Sequence, residues 1–337
     1  MVLDPLNMTP SDAIVVASAA ASAAIMIVSA VSSRGGRRAG EVVGARLQGL
    51  REGYPGSLGE PSRASLPGME PRGLEGLWTC WKLGCGGWGC SYLCSRAGES
   101  VAVKVPRGYE ALVEGGSPPT VSEGLTASDE VSVVSRLRHP HLLKLIGYSK
   151  LYPILVYEYA EQGTLQWQLN MGWRPGEATV AVMGAQLADA VRYMHDRGVI
   201  HGDIKPSNIF FSGGLAKLGD FSSVKVLLST SGWGPSTPGF RAPEQVFSDL
   251  ARRSSERGVQ NRVDIYQLAA TLVYTLTGRT LDGSQAVDPG GTRRVLSRVR
   301  SRLLRGALEE MLKPDPVERA SASEAFRLLE RAAVSLS

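Results

Sequence analysis

A chain of 337 residues with 43% hydrophobic side chains can bury a sizeable core, which excludes a polypeptide disordered throughout. Its 37 Lys and Arg against 32 Asp and Glu leave a formal charge of +5, a mildly basic surface rather than one dedicated to nucleic acid. No fixed-period repeat runs along it, so solenoids and propellers are excluded as well.

Residues 13–31 are an unbroken run of Ala, Val, Ile, Met and Ser, just long enough to cross a bilayer, and Arg34, Arg37 and Arg38 follow at once. The arginines would hold the following domain on the cytoplasmic side, so residues 1–31 read as a candidate hydrophobic anchor and 13–31 as a candidate membrane tether. A soluble alanine-rich helix is the alternative. A cleaved export signal fits less well, because Asp4 and Asp12 precede the run and no basic residue does. Residues 32–76 are rich in Gly, Arg, Ser and Pro with little apolar periodicity, and read as a flexible linker.

From Leu77 the pattern changes. Short β-prone runs at 78–83, 90–95 and 101–105, separated by glycine-bearing turns, predict an antiparallel sheet. Residues 128–137 have the apolar spacing of a helix, and 142–147 and 153–159 supply two more strands. After Thr164 amphipathic helices take over, at 178–197, 263–277 and 321–334. The result is an α+β domain over 77–333: a small sheet lobe (77–160), a large, mainly helical lobe (161–333), and a cleft where they meet. Cys80, Cys85, Cys90 and Cys94 surround the first glycine-rich turn without the C-x2-C pairs that zinc favours. They read as free thiols in a reducing compartment, with strand packing set against a redox role for Cys85 or Cys90.

The polar residues of this domain fall into an ordered series. Gly84, Gly86, Gly87 and Gly89 lie in a turn between two strands, where the backbone can approach phosphate oxygens and aim N–H groups at them. Lys104 ends the apolar strand Val101-Ala102-Val103, where an ammonium needs both a partner and an anionic ligand; Glu130, on the next helix, is the candidate partner. Asp203, Lys205, Asn208 and Asp220 follow, supplying a proton acceptor, a cation and two hard oxygen ligands. In that order they form the set needed to move a phosphoryl group from ATP.

These segments resemble the eukaryotic-type protein kinase family, serine/threonine branch, over about 77–333. His201-Gly202-Asp203-Ile204-Lys205-Pro206-Ser207-Asn208 resembles its catalytic loop, Asp220-Phe221-Ser222 its D-F-G motif, and Ala242-Pro243-Glu244 its A-P-E motif, with Arg319 at the usual ion-pair partner. Asp264 resembles the aspartate that braces the catalytic loop, and residues 158–160 the adenine-binding hinge behind Tyr157. Lys205 and Thr237 resemble the serine/threonine branch. The resemblance implies a two-lobed kinase fold, ATP and Mg2+ as cofactors, and protein substrates with Ser/Thr acceptors, with no specific nucleic acid. It implies Asp203 and Lys205 as catalytic residues and Asn208 and Asp220 as metal ligands. Nucleotide binding would fall to Gly84, Gly86, Gly87, Gly89, Lys104, Glu130, Glu158 and Ala160.

Three departures qualify it. Gly202 replaces an arginine that in many kinases pairs with an activation-loop phosphate, which predicts less dependence on such phosphorylation. Ser222 replaces the glycine of D-F-G and constrains the magnesium loop. Ser91 replaces a valine over the adenine and weakens that apolar contact. Gly202 and Ser222 motivate an alternative, a catalytically weak or inactive pseudokinase acting as a binding scaffold. The arginines at 293, 294, 298, 300, 302 and 305 read as a solvated helix face, with recruitment of acidic substrates or anionic lipid as the alternative.

Overall fold

The computed structural model describes residues 60–66, 69–70, 74, 76–87, 89–116, 128–226, 236–283 and 289–337. The candidate tether at 13–31 lies outside them, and among the described residues no helix is long and apolar enough to cross a membrane.

The small lobe is one antiparallel sheet built from β1 (Ser62–Ser65), β2 (Met69–Glu70), β3 (Leu77–Cys85), β4 (Gly89–Arg96), β5 (Glu99–Pro106), β6 (Leu145–Ser149) and β7 (Leu155–Glu158). Its spatial order is β1-β3-β4-β5-β7-β6-β2. The alternation that predicted strands is the alternation that buries: Tyr92 and Cys94 on β4, Val101, Val103 and Val105 on β5, and Val156 on β7 share one core. Trp78 is fully enclosed there and donates its indole N–H to the Leu74 carbonyl at 2.9 Å. Among the described residues this lobe also carries two helices, α1 (Ala111–Glu114) and α2 (Ser128–Val134).

Two features differ from expectation. Order begins before Leu77: β1 and β2 fall within the stretch expected to be linker, and Ala64, Leu66 and Met69 are buried. Strands of four and two residues are too short to show an alternating pattern, and they are held by pairing at the two edges of the sheet. The cysteines are not free thiols. The β3–β4 hairpin sets Cys80 opposite Cys94 and Cys85 opposite Cys90, with Cα atoms 4.1 and 4.0 Å apart, and both pairs are disulfide-bonded. Directly facing residues of an antiparallel pair come this close, a relation that neither the zinc spacing nor the free-thiol expectation takes into account.

The large lobe consists of α3 (Leu165–Asn170), α4 (Glu177–His195), α5 (Ser248–Glu256), α6 (Arg262–Thr277), α7 (Pro289–Leu296), α8 (Arg302–Met311) and α9 (Ala322–Leu336). The helix α6 is its axis: Val263, Ile265, Leu268, Ala269, Leu272 and Val273 are all completely enclosed. Gly184 lets α4 come close, since a Cβ there would stand 2.8 Å from Leu272 and 3.3 Å from Leu329. Ser321 and Glu324 close a capping box at the start of α9. Between α4 and α5 lie four short strands, β8 (Val199–Ile200), β9 (Ile209–Ser212), β10 (Leu215–Leu218) and β11 (Lys225–Val226), paired β9 with β10 and β8 with β11. They fix the two loops that matter for chemistry: 201–208 joins β8 to β9, and 219–224 joins β10 to β11.

Candidate active site

The glycine turn closes the β3–β4 hairpin, with the Gly86 N–H donating to the Gly89 carbonyl at 2.8 Å. Gly89 can be nothing larger, because a Cβ there would lie 2.0 Å from the Val105 carbonyl oxygen. At Gly84, Gly86 and Gly87 a Cβ would meet nothing within 4 Å, so on that side of the turn there is open space for a ligand. The Arg107 guanidinium bonds the Gly86 carbonyl at 3.2 Å and steadies the turn.

Lys104, on β5, points its ammonium at Asp220, 2.8 Å away across 116 residues of sequence. Glu130 falls on α2 as expected, but its side chain lies outside the described residues. Burial pushes the Asp220 carboxyl up, but the charge and hydrogen bond of Lys104, the Ser222 hydroxyl and His201 outweigh it and hold the group at about 2. Asp220 is therefore a carboxylate at any physiological pH. It sits in the left-handed region at φ 59°, an uncommon place for a non-glycine residue. Ser222 lacks a positive φ and instead donates its hydroxyl to Asp220 at 3.0 Å, so the missing D-F-G glycine is accommodated without strain at that position. Phe221 is buried, stacked near Tyr157 at 6.3 Å between ring centres and tilted against His201 at 5.6 Å.

Asp203 is nearly buried and receives three donors. Lys205 Nζ reaches its Oδ2 at 2.6 Å, the Thr237 hydroxyl its Oδ1 at 3.0 Å, and the Asn208 amide its Oδ2 at 3.4 Å. Lys205 also donates to Thr237 at 2.7 Å, closing a triangle. The Asn208 amide nitrogen also donates to the Asp203 carbonyl at 2.8 Å, which leaves Oδ1 as its ligand atom, and the Gly219 N–H bonds the Asn208 carbonyl at 2.9 Å. Five of the sequence-predicted groups thus form one connected set with Thr237: Lys104 to Asp220, the adjoining Gly219 to Asn208, Asn208 to Asp203, and Asp203 to Lys205 and Thr237.

Beneath this set the loop is held by Asp264, which is completely enclosed and accepts the N–H groups of His201 at 2.9 Å and Gly202 at 2.8 Å and His195 Nε2 at 2.8 Å. Burial raises its carboxyl, and His195, His201 and the Gly202 amide more than reverse that, leaving it below the usual range. Gly202 has φ 81°, and a Cβ there would stand 3.1 Å from the Ser223 carbonyl, so a larger residue is strained at this position. Glu244 and Arg319 form a fully buried bidentate pair at 2.6 and 2.8 Å.

At the hinge, the Glu158 side chain is occupied with structure. It accepts Lys217 Nζ at 2.8 and 2.9 Å and the Lys144 N–H at 2.8 Å, while its own N–H bonds the Lys144 carbonyl. Ala160 is buried and its carbonyl accepts from Gly163. Sequence reasoning missed Lys217, His195, Gln245 and Gln267. For Gln267 a signal existed, since it follows Asp264 by three positions on one helix and so shares its face.

Asp220 and Asn208 suit Mg2+, which takes few protein ligands and completes its shell with phosphate oxygens and water. Among the described residues no group of three or more His, Cys, Asp or Glu is placed to hold a metal ion.

The family model for the protein kinase domain matches residues 79–328, well over half of the chain. Relatives include the proline-rich receptor-like protein kinase PERK8 of Arabidopsis thaliana, 32% identical over 275 residues, covering 74% of this chain and 37% of that protein. The salt tolerance receptor-like cytoplasmic kinase 1 of Oryza sativa subsp. japonica is 29% identical over 249 residues, 68% of this chain and 64% of that one. Mitogen-activated protein kinase kinase kinase 4 of Homo sapiens is 28% identical over 212 residues, 59% of this chain and 12% of that protein. The chain thus spans less than two thirds of the length of each of these relatives. With the two-lobed fold, the match over 79–328 establishes that the chain belongs to the protein kinase family.

Proposed function

We propose that the chain is a Mg2+- and ATP-dependent kinase that phosphorylates serine and threonine hydroxyls of protein substrates. The observation that supports it most is the connected set from Lys104 through Asp220 and Asn208 to Asp203, which spans 117 residues of sequence and joins both lobes in one cleft.

In this reading Lys104 holds the α- and β-phosphates, oriented by Glu130, beneath the turn of Gly84, Gly86, Gly87 and Gly89. The Glu158 carbonyl and the Ala160 N–H meet the adenine edge. Asp220 and Asn208 Oδ1 hold Mg2+, which neutralises charge on the phosphates when bound. Asp203 accepts the proton of the acceptor hydroxyl, and Lys205, 2.6 Å from it, stabilises the charge that develops on the transferred group. Thr237, bonded to both, brings the acceptor-side segment up to the reacting hydroxyl and supports the serine/threonine assignment.

The catalytic domain is assigned to about 77–333, small lobe 77–160 and large lobe 161–333, with β1 and β2 added to the small lobe. It works on the cytoplasmic side, where ATP is and where thiol reductants act against the Cys80–Cys94 and Cys85–Cys90 disulfides. Residues 13–31 are its membrane tether; equal solubility of the full chain and a 32–337 truncation after alkaline extraction would end that assignment.

The test is transfer of labelled γ-phosphate from ATP to a generic basic protein and to small alcohols and sugars, followed by phosphoamino-acid analysis. Label on phosphoserine or phosphothreonine is the expected result. Label only on small molecules would point to another phosphotransferase, and ATP binding without transfer to a scaffold.

A further inference from the structure

Gly202 contributes no side chain, yet both of its backbone polar groups are fully used. Its N–H goes to Asp264, and its carbonyl accepts two carboxamides, Gln267 Nε2 at 2.9 Å and Gln245 Nε2 at 3.2 Å. Gln267 Nε2 also donates to Gln245 Oε1 at 2.9 Å, so Gly202, Gln245 and Gln267 close a three-membered ring of hydrogen bonds. The remaining acceptors face outward to two different segments. Gln267 Oε1 takes the Ile204 N–H at 2.9 Å, in the loop that carries Asp203, and Gln245 Oε1 takes the Ala242 N–H at 2.8 Å, in the segment that begins with Thr237. Gln267 is 1% exposed, so each of these groups would be costly to leave unpaired.

The ring therefore ties three pieces of chain together: α6, the catalytic loop, and the acceptor-side segment 237–245. That segment touches the reacting groups at its other end, where Thr237 bonds Asp203 and Lys205. Extending the kinase reading given above, on which it rests, we infer that Gln245 and Gln267 are positioning residues for phosphoryl transfer. They hold Asp203 and the acceptor-side segment in register through carboxamides already in place, without a phosphate to order that segment. Lys104, Asp220 and the glycine turn lie outside the ring, so nucleotide binding should be indifferent to it.

The test uses the full chain with Gln267→Met and Gln245→Met, which keep length and remove the hydrogen bonds, and Gln267→Glu, which keeps the acceptor for Ile204 but loses both donors. Gln245 is only half-buried, so its variant is the safer of the two to fold. Expected are a fall in kcat of at least tenfold toward a basic protein acceptor and a severalfold rise in KM for that acceptor, with the Kd for ATP within twofold. The double variant should be no worse than Gln267→Met alone, and phosphatase treatment of the wild type should leave its rate unchanged. Amide hydrogen exchange supplies a readout that needs no activity: Gln245→Met should speed exchange at Ile204 as well as at Ala242. Unchanged kcat and acceptor KM in a folded Gln245→Met, or faster exchange at Ala242 alone, would overturn the inference, as would loss of wild-type rate on phosphatase treatment. If the wild type transfers no phosphate at all, the kinase reading fails, and the exchange comparison alone then decides whether the ring couples the two segments.

Discussion

Arg319→Met should be among the most damaging single changes outside the cleft. Arg319 has five N–H donors, and all five are used: two on Glu244 at 2.6 and 2.8 Å, and one each on the carbonyls of Lys313 at 2.9 Å, Arg262 at 2.8 Å and Pro314 at 3.1 Å. Both partners of the ion pair are shut off from water. Methionine fills much of the space but leaves a carboxylate enclosed with no counter-charge and takes one donor from each of three carbonyls. Breaking a buried pair this way costs about 3–5 kcal/mol. For a domain of this size that corresponds to a drop of roughly 10 °C in Tm. Removing the stranded charge as well, in Glu244→Met/Arg319→Met, should recover about 2 kcal/mol, although the three carbonyls still lack the donor that Arg319 supplied. Urea unfolding followed by fluorescence and circular dichroism measures both. A loss below about 1 kcal/mol in the single variant, the value for an exposed pair, would refute the reasoning; so would a double variant no more stable than the single.

Acid should act through Asp220. Its folded carboxyl is held at about 2 against an ordinary 3.8, so its contribution to stability is present above 3.8 and is lost as pH falls from there toward 2. Lys104→Met should flatten that part of the stability profile, and an unchanged acid limb would show that Lys104 does not set the shift. Replacing Cys80 and Cys94 by serine should cost about 3 kcal/mol from the 14-residue separation, and replacing Cys85 and Cys90 about 2 from a separation of five, both by unfolding without reductant. Gly202→Ala should lower Tm by several degrees, since it places a Cβ at positive φ and 3.1 Å from the Ser223 carbonyl. An unaltered Tm would show that the backbone there is free to relax.

The chemistry-bearing residues were legible because phosphoryl transfer demands particular side chains in a fixed order, each inside a strand or loop with its own pattern. Asp203, Lys205, Asn208 and Asp220 lie within 18 residues of one another, so local spacing alone brings them into view. The sheet and the long helices were legible because Val101, Val103 and Val105 alternate and apolar residues recur every three to four positions in the helices, although α6, expected to be amphipathic, is buried on nearly every side with Asp264, Gln267, Thr271 and Thr275 enclosed. What stayed hidden depends on pairing between segments. The disulfides follow from the β3–β4 register: both cysteine pairs are centred on the same turn, and the irregularity between Lys82 and Gly84 shifts one pair by a residue, a relation invisible to a search for zinc spacing. Lys104 offers a second case, since its contact with Asp220 joins positions that no local pattern connects. The hinge was located by its neighbours, but that the Glu158 side chain is bound to Lys217, leaving only backbone for a ligand, required β7 and β10 to be placed together.

The most direct test separates the two halves of the cleft. Binding of ATP with Mg2+ and transfer of its γ-phosphate to a protein acceptor are measured side by side for the wild type, Asp203→Asn and Asp220→Ala. The expected result is that Asp203→Asn binds ATP as the wild type does and transfers at least about 10²-fold more slowly, as befits loss of a proton acceptor. Asp220→Ala should lose the Mg2+-dependent part of ATP binding together with transfer. Transfer by Asp203→Asn at the wild-type rate, or ATP binding by Asp220→Ala that keeps its full dependence on Mg2+, would contradict the assignment of this cleft.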